Sequence, residues 1–112
     1  MKLSKAQQRA MDYAKATIDK ARSFADFESY FDEVHAKHFN GMYNSAEKLK
    51  ARDRKSFEWW RKLWEAEKDA IVLTGNVNSR TLYKLQELGL IEIIDDGKNR
   101  SSGVDRIKVI NY

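Results

Sequence analysis

Apolar residues in the first part of the chain recur at steps of three and four, the period of a helix with one buried face. The first such stripe runs from Leu3 to Ala21, and most lysine and arginine side chains lie off it. Ser4 and Gln7 have the spacing of a capping box. The pattern therefore predicts a helix that starts at Ser4 and ends near Arg22.

A second stripe is aromatic, and Ser23 with Asp26 is placed to cap the helix that carries it. Its members are Phe24, Phe27, Phe31 and Val34. Because this spacing puts them on one helix face, it predicts core positions rather than a platform on which nucleic-acid bases stack. The letters HFNGMYNS (38–45) then predict a loop, and Asn44 with Glu47 forms the next capping pair.

The segment from Asn44 to about Val72 has a helical composition, with a predicted break near Asp53–Ser56. Beyond the break, two apolar stripes cover about half of the helix circumference. One holds Phe57, Trp60, Trp64 and Ile71, and the other holds Trp59, Leu63, Ala66 and Ala70. Such a wide apolar surface favours a central helix. The alternative is a homodimer through the Trp59/Trp60/Trp64 helix, with the Trp59 stripe facing a second copy of the chain.

A short helix is predicted further along the chain, with Asn78 or Ser79 as its cap and Leu88 near its end. Gly89 would supply the left-handed stop. The inward face would hold Leu82, Leu85 and Leu88, and the outward face Arg80, Tyr83, Lys84 and Glu87.

The outward face of this helix has a charge pattern that suits an anion. Arg80 and Lys84 are like charges at i, i+4, which costs a few tenths of a kcal/mol in an isolated helix but becomes favourable beside phosphates. The helix start adds free N–H groups and the polar side chains of Asn76, Asn78 and Ser79.

Two strand-like segments follow the helix. The letters LIEIID (90–95) and VDRIKVINY (104–112) are rich in β-branched residues, and DGKNRSSG (96–103) between them is rich in turn residues. These features predict a β-hairpin with a polar, basic tip.

Composition narrows the class of protein. A chain of 112 residues suits one domain, and the absence of cysteine excludes disulfides and thiolate zinc sites. We find no apolar run of membrane-spanning length and no signal-peptide pattern, so a soluble, cytoplasmic protein is expected. The net charge of +4 is uneven, with basic segments at 1–22 and 45–71 and an acidic one at 23–44. This distribution favours an anionic partner on one side, although solvated helix faces would look the same.

The stretch NSRTLYKLQELGLIE (78–92) resembles the recognition helix and following strand of winged helix-turn-helix domains. The matching residues are Asn78, Ser79, Arg80, Thr81, Leu82, Lys84, Leu85, Leu88, Gly89, Leu90, Ile91 and Glu92. In addition, LSKAQQRAMDYA (3–14) is similar to the opening helix of small phage and prophage winged-helix proteins. The resemblance implies one mainly α domain with a C-terminal β-hairpin: a first helix over 1–22, a helical insertion over 23–72, and the recognition helix and wing over 73–112.

The same resemblance implies a phage- or prophage-type regulator of transcription that binds double-stranded DNA. The expected contact residues are Asn78, Ser79, Arg80, Tyr83 and Lys84 on the helix, and Lys98, Asn99 and Arg100 on the wing. The basic run from Lys48 to Lys55 would add phosphate contacts. Since winged helices also serve as protein-interaction modules, the alternative is a non-catalytic interaction module or a self-associating structural protein.

Catalytic chemistry is not expected, and neither a cofactor nor a metal is predicted. The chain has no Gly-rich phosphate loop, no GxSxG elbow and no HExxH motif. His35 and His38, with Glu28 and Asp32, have helical spacing that could ligate a transition metal, but a helix C-terminus also favours histidines without any metal.

Overall fold

Helices dominate the computed structural model, which describes residues 2–39, 44–75, 77–95 and 104–112. In chain order the elements are α1 (Lys5–Arg22), α2 (Phe27–Val34), a 3-10 turn (Ala36–His38), α3 (Ala46–Arg52), α4 (Arg54–Lys68), β1 (Ile71–Leu73), α5 (Ser79–Glu87), β2 (Ile91–Asp95) and β3 (Arg106–Val109). The protein is mainly helical, with a small three-stranded antiparallel sheet in the order β1-β3-β2. In the described part of the chain, every helix is too short or too polar to cross a membrane.

Local capping signals define the start of α1 and the break before α4, as predicted. The Ser4 Oγ accepts a hydrogen bond from the Gln7 N–H at 3.2 Å, and the Gln7 Oε1 accepts one from the Ser4 N–H at 2.9 Å. Asp53 separates α3 from α4, and its carboxylate caps α4 by accepting from the Ser56 N–H at 3.1 Å. Because each of these bonds joins residues three apart, the sequence alone indicates them.

Two caps differ from the predicted ones. The Ser23 N–H donates to carbonyls of the last turn of α1, so Ser23 closes α1, and Asp26 alone caps α2. Similarly, the cap of α3 is Ser45 rather than Asn44, because the Ser45 Oγ accepts from the Lys48 N–H.

The prediction of a helix up to Val72 is wrong. α4 ends at Lys68, Ala70 has a left-handed φ of 67°, and residues 71–73 form β1. Val72 lies opposite Ile107 in the antiparallel pairing of β1 with β3. The predicted pairing of β2 with β3 is confirmed, but the sheet has three strands rather than two. The predicted turn at 96–103 lies outside the described residues.

α4 and α5 each pack against more than one other element. α4 packs against α1, α3 and β1, which confirms the prediction of a central helix. α5 packs against α1 and β2. Since β1 stands between α4 and α5 in the chain, α5 does not follow its helical neighbour through a simple turn, as the second helix of a helix-turn-helix does.

Two groups of buried side chains form the core. The aliphatic cluster joins α1, α5 and the sheet, and comprises Ala10, Met11, Ala14, Ile18, Ala70, Val72, Leu82, Leu85, Ile91, Val104, Ile107 and Val109. The aromatic cluster joins α2, α3 and α4 to the end of α1, and comprises Ala21, Phe27, Tyr30, Phe31, Ala36, Ala46, Leu49, Phe57 and Trp64. α1 therefore contributes to both clusters.

Candidate nucleic-acid interface

The orientation of α5 is set by its two buried leucines and by its ends. Leu82 and Leu85 have no solvent exposure and belong to the aliphatic cluster. The prediction that Leu88 also faces inward is wrong, because Leu88 lies beyond the last residue of α5 and is 39% exposed. At the start, the Asn78 Oδ1 accepts a hydrogen bond from the Arg80 N–H at 2.8 Å. At the end, Gly89 has the predicted left-handed φ of 77°. Leucine burial turns the opposite face of α5 to solvent.

Two side-chain hydrogen bonds hold α5 against the hairpin. Near the helix start, the Ser79 Oγ accepts from the Val104 N–H at 3.1 Å. Near the helix end, the Gln86 Oε1 accepts from the Ile93 N–H at 2.8 Å. No local sequence pattern predicts either bond, because they join residues 25 and 7 positions apart through the tertiary fold. Together they fix α5 on the chain segments that enter β3 and form β2.

The solvent face of α5 carries Arg80, Tyr83 and Lys84. All three are exposed, as predicted. The Tyr83 side chain is 41% exposed. The Lys84 Nζ lies 3.4 Å from a Glu87 carboxylate oxygen, and both of these side chains are about two-thirds exposed. Such an exposed pair is weak, so Lys84 can leave it for a phosphate. Arg80 is exposed and forms no ion pair with any residue that the structure describes.

The remaining predicted contact residues divide into two groups. Asn78 caps the helix and Ser79 binds the backbone of Val104, so both side chains have a structural role at the helix start. The predicted wing residues Lys98, Asn99 and Arg100 lie outside the described residues. The structure thus brings Arg80, Tyr83 and Lys84 together on one surface.

A second polar feature, which the sequence did not indicate, lies where α1, α2 and α4 meet. The Tyr30 hydroxyl donates a hydrogen bond of 2.7 Å to the Glu67 carboxylate, which is buried, and lies 3.0 Å from the His35 Nε2. Burial raises the pKa of Glu67, and the hydrogen bond from Tyr30 acts in the opposite direction. Burial, followed by the contact with Glu67, raises the pKa of Tyr30 well above its usual range. Tyr30 therefore remains a donor to the buried carboxyl.

His35 packs against an aromatic ring and a tyrosine hydroxyl. The His35 ring lies against Trp60, with ring centroids 4.5 Å apart, and its Nε2 faces the Tyr30 hydroxyl. Burial lowers the pKa of His35, and the neighbouring His38 adds to this effect. Within residues 2–39, 44–75, 77–95 and 104–112, no three His, Cys, Asp or Glu side chains are grouped to hold a metal ion.

The three tryptophans of α4 differ in exposure. Trp64 is 6% exposed, and its indole N–H donates a hydrogen bond of 3.0 Å to the Ala21 carbonyl. Trp60 is half-buried against Phe31. Trp59 is 48% exposed, so it alone of the three presents a large apolar surface to solvent.

Comparisons of the chain with protein-family models, with curated proteins and with solved structures find no match.

Proposed function

We propose that the protein binds double-stranded DNA through the outward face of α5, as a non-catalytic regulator of the winged-helix type. The observation that carries the proposal is the convergence of Arg80, Tyr83 and Lys84 on the exposed side of a helix fixed to the hairpin at both ends. A rigid helix with cations on its free face has the shape and charge that a DNA groove accepts.

The surrounding architecture supports a winged-helix interpretation in part. α5 leads into β2, and β2 pairs with β3, which is the order of recognition helix and wing. The packing of α5 on α1 and the presence of β1 immediately before α5 are a variation on that plan. DNA contact by α5 requires only the exposed face of this helix. The position of β1 and the packing of α5 on α1 therefore leave the proposed contact possible.

The proposal is tested by titrating a pool of labelled duplex fragments at several salt concentrations. The variant Arg80→Ala with Lys84→Ala is compared with Lys15→Ala plus Lys37→Ala, which removes the same charge from exposed positions on other elements. We expect roughly tenfold or greater loss of duplex affinity in the α5 variant alone, and a salt slope lower by about two. Equal affinities of the two variants, or an affinity of the wild type that does not fall with salt, would exclude α5 as a DNA-binding surface.

A second candidate function is self-association through α4, and the exposure of Trp59 is the observation that favours it. The predicted dimer surface of Trp59, Trp60 and Trp64 is reduced to Trp59, because the other two rings pack within the protein. A dimer in solution that dissociates in Trp59→Ala is expected under this candidate. A strictly monomeric mass across the accessible concentration range removes it.

A further inference from the structure

Trp59 lies in a shallow depression on the surface of α4. The other residues that line this depression are Arg54, Lys55, Glu58 and Lys62. The Trp59 ring contacts the Trp60 ring edge-on, with centroids 4.9 Å apart and an interplanar angle of 86°. Trp60 is itself held by the aromatic cluster, so one edge of the Trp59 indole is supported while about half of the side chain stays exposed. We call these five residues the Trp59 patch.

The charge of the Trp59 patch is positive. Its one acid, Glu58, lies 3.3 Å from the Arg61 guanidinium, and the same arginine lies 3.7 Å from Glu65. Glu58 therefore shares one cation outside the patch with Glu65, and within the patch three cations stand against one acid. The three cations of the patch are Arg54, Lys55 and Lys62. None of them lies within 4 Å of a carboxylate oxygen of a described residue, and Lys55 interacts with Asp53 at longer range.

An exposed indole among three cations and one acid has a specific chemical complement. The ring offers a flat apolar face on which a nucleic-acid base stacks, and the surrounding Lys and Arg side chains bind the flanking phosphates. A second copy of the chain fits less well, because a two-fold contact centred on Trp59 would bring the cations of both copies together. The observations therefore favour a nucleic acid over self-association.

We propose that the Trp59 patch binds single-stranded nucleic acid, with one unpaired base stacked on Trp59 and phosphates held by Arg54, Lys55 and Lys62. Bases within a duplex stack on one another and do not present a face to a protein surface, so the patch selects an unpaired strand. This site is separate from α5, because Trp59 stands beside the aromatic cluster whereas α5 is part of the aliphatic cluster. The inference does not depend on DNA binding by α5.

The probe is a short, fluorescein-labelled oligothymidylate, and its anisotropy gives the affinity. Trp59→Ala is compared with Tyr13→Ala. The control removes another exposed aromatic ring, which lies on α1 and is 49% exposed. We expect Trp59→Ala to weaken binding by about tenfold or more, with Tyr13→Ala close to the wild type and Trp59→Phe in between. Unlabelled oligothymidylate should also quench the tryptophan fluorescence of the wild type, and this quenching should vanish in Trp59→Phe.

The cations of the patch are tested separately through the salt dependence. Lys55→Ala with Lys62→Ala should lower the slope of log affinity against log salt by about 1.4, since each phosphate contact to a single strand contributes about 0.7. The variant Arg80→Ala with Lys84→Ala should keep its affinity for oligothymidylate, which separates this proposal from duplex binding by α5.

Three results would overturn the proposal. One is an affinity of Trp59→Ala for oligothymidylate equal to that of Tyr13→Ala. Another is competition by a blunt duplex that is as effective as competition by the single strand. The third is a dimer that Trp59→Ala dissociates without any change in oligothymidylate binding, which would assign the patch to a second copy of the chain.

Discussion

The aliphatic cluster contains only hydrocarbon side chains and one methionine, whereas the aromatic cluster includes the hydroxyl of Tyr30 and borders the buried carboxyl of Glu67. In the aliphatic cluster, stability depends on filled volume. In the aromatic cluster, it also depends on a hydrogen bond and on the protonation of an acid. The first cluster supports the proposed DNA-binding helix, and the second supports the Trp59 patch.

The two clusters differ as well in how their side chains meet. In the aromatic cluster the rings contact each other in tilted, edge-to-face and stacked pairs, such as Phe27 with Phe57 at a centroid distance of 5.2 Å and 79°, and Tyr30 with Trp64 at 6.0 Å and 28°. Phe31 has no solvent exposure and contacts both Phe27 and Trp60. α1 connects this region to the aliphatic cluster, so loss of either cluster should unfold the same unit.

The largest effect is expected from Phe31→Ala. It opens a cavity among the rings and should lower the free energy of unfolding by about 3–5 kcal/mol, against about 2–5 kcal/mol for Leu82→Ala in the aliphatic cluster. Urea unfolding followed by tryptophan fluorescence and by far-UV circular dichroism measures both. The fluorescence reports the three tryptophans of α4, which lie in or beside the aromatic cluster, and the dichroism reports all helices.

For both variants the two signals should change together, because α1 couples the clusters. A fluorescence transition of Phe31→Ala that precedes the dichroism transition would show instead that the aromatic cluster unfolds on its own. Tyr83→Ala, at an exposed position on α5, serves as the control and should change the stability by at most about 0.5 kcal/mol. Phe31→Leu supplies a milder variant if Phe31→Ala does not fold.

A smaller loss is expected from Tyr30→Phe, which leaves the Glu67 carboxyl without its hydrogen-bond donor. The cost of an unsatisfied buried polar group is about 1–3 kcal/mol. Tyr13→Phe is the matched control, because the Tyr13 hydroxyl is exposed and, among the residues that the structure describes, makes one long contact of 3.5 Å, with the Leu73 carbonyl. Equal stability of the two variants in chemical denaturation would contradict a stabilising role for the Tyr30–Glu67 bond.

The buried carboxyl of Glu67 makes the stability of the protein decrease as pH rises. The folded pKa of Glu67 is raised above its ordinary value of 4.5, so the folded state holds this proton more tightly than the unfolded state. The resulting stabilisation is full below the unfolded pKa and is lost as pH rises through the folded pKa. Glu67→Gln should remove this loss, and its stability relative to the wild type should therefore increase with pH. A constant difference between the two curves would refute the raised pKa.

The features that the sequence predicted well are those encoded by near neighbours. The capping box of Ser4 and Gln7, the break at Asp53 and the left-handed Gly89 each depend on a few adjacent residues. β1 was missed because its strand partner β3 lies more than 30 positions along the chain, and an isolated Ile-Val-Leu run also suits a helix face. Whether such a short apolar run forms a helix or a strand depends on its long-range pairing.

In the candidate sites as well, the sequence predicted what depends on near neighbours and missed what depends on the tertiary fold. The exposure of Arg80 and Lys84 follows from the leucine period of α5, which the sequence displays. The bonds from Ser79 and Gln86 to the hairpin depend on the tertiary fold, and neither residue type signals such a role. Glu67 was likewise missed, because a glutamate between helical lysines and alanines reads as solvated until its neighbours in space are known.

The smallest effect is expected at Gly89, in the turn between α5 and β2. This turn connects two elements of the aliphatic cluster without filling any of its volume. A Cβ at Gly89 would meet no atom within 4 Å, so Gly89→Ala introduces only the strain of its left-handed φ of 77°. That strain should cost about 1 kcal/mol. Gly75→Ala is the control, since a Cβ there also meets no atom within 4 Å and the φ of Gly75 is not left-handed. A thermal unfolding midpoint lower for Gly89→Ala than for Gly75→Ala is expected. Equal midpoints would mean that the turn relaxes without loss, so the aliphatic cluster holds α5 in place independently of this turn.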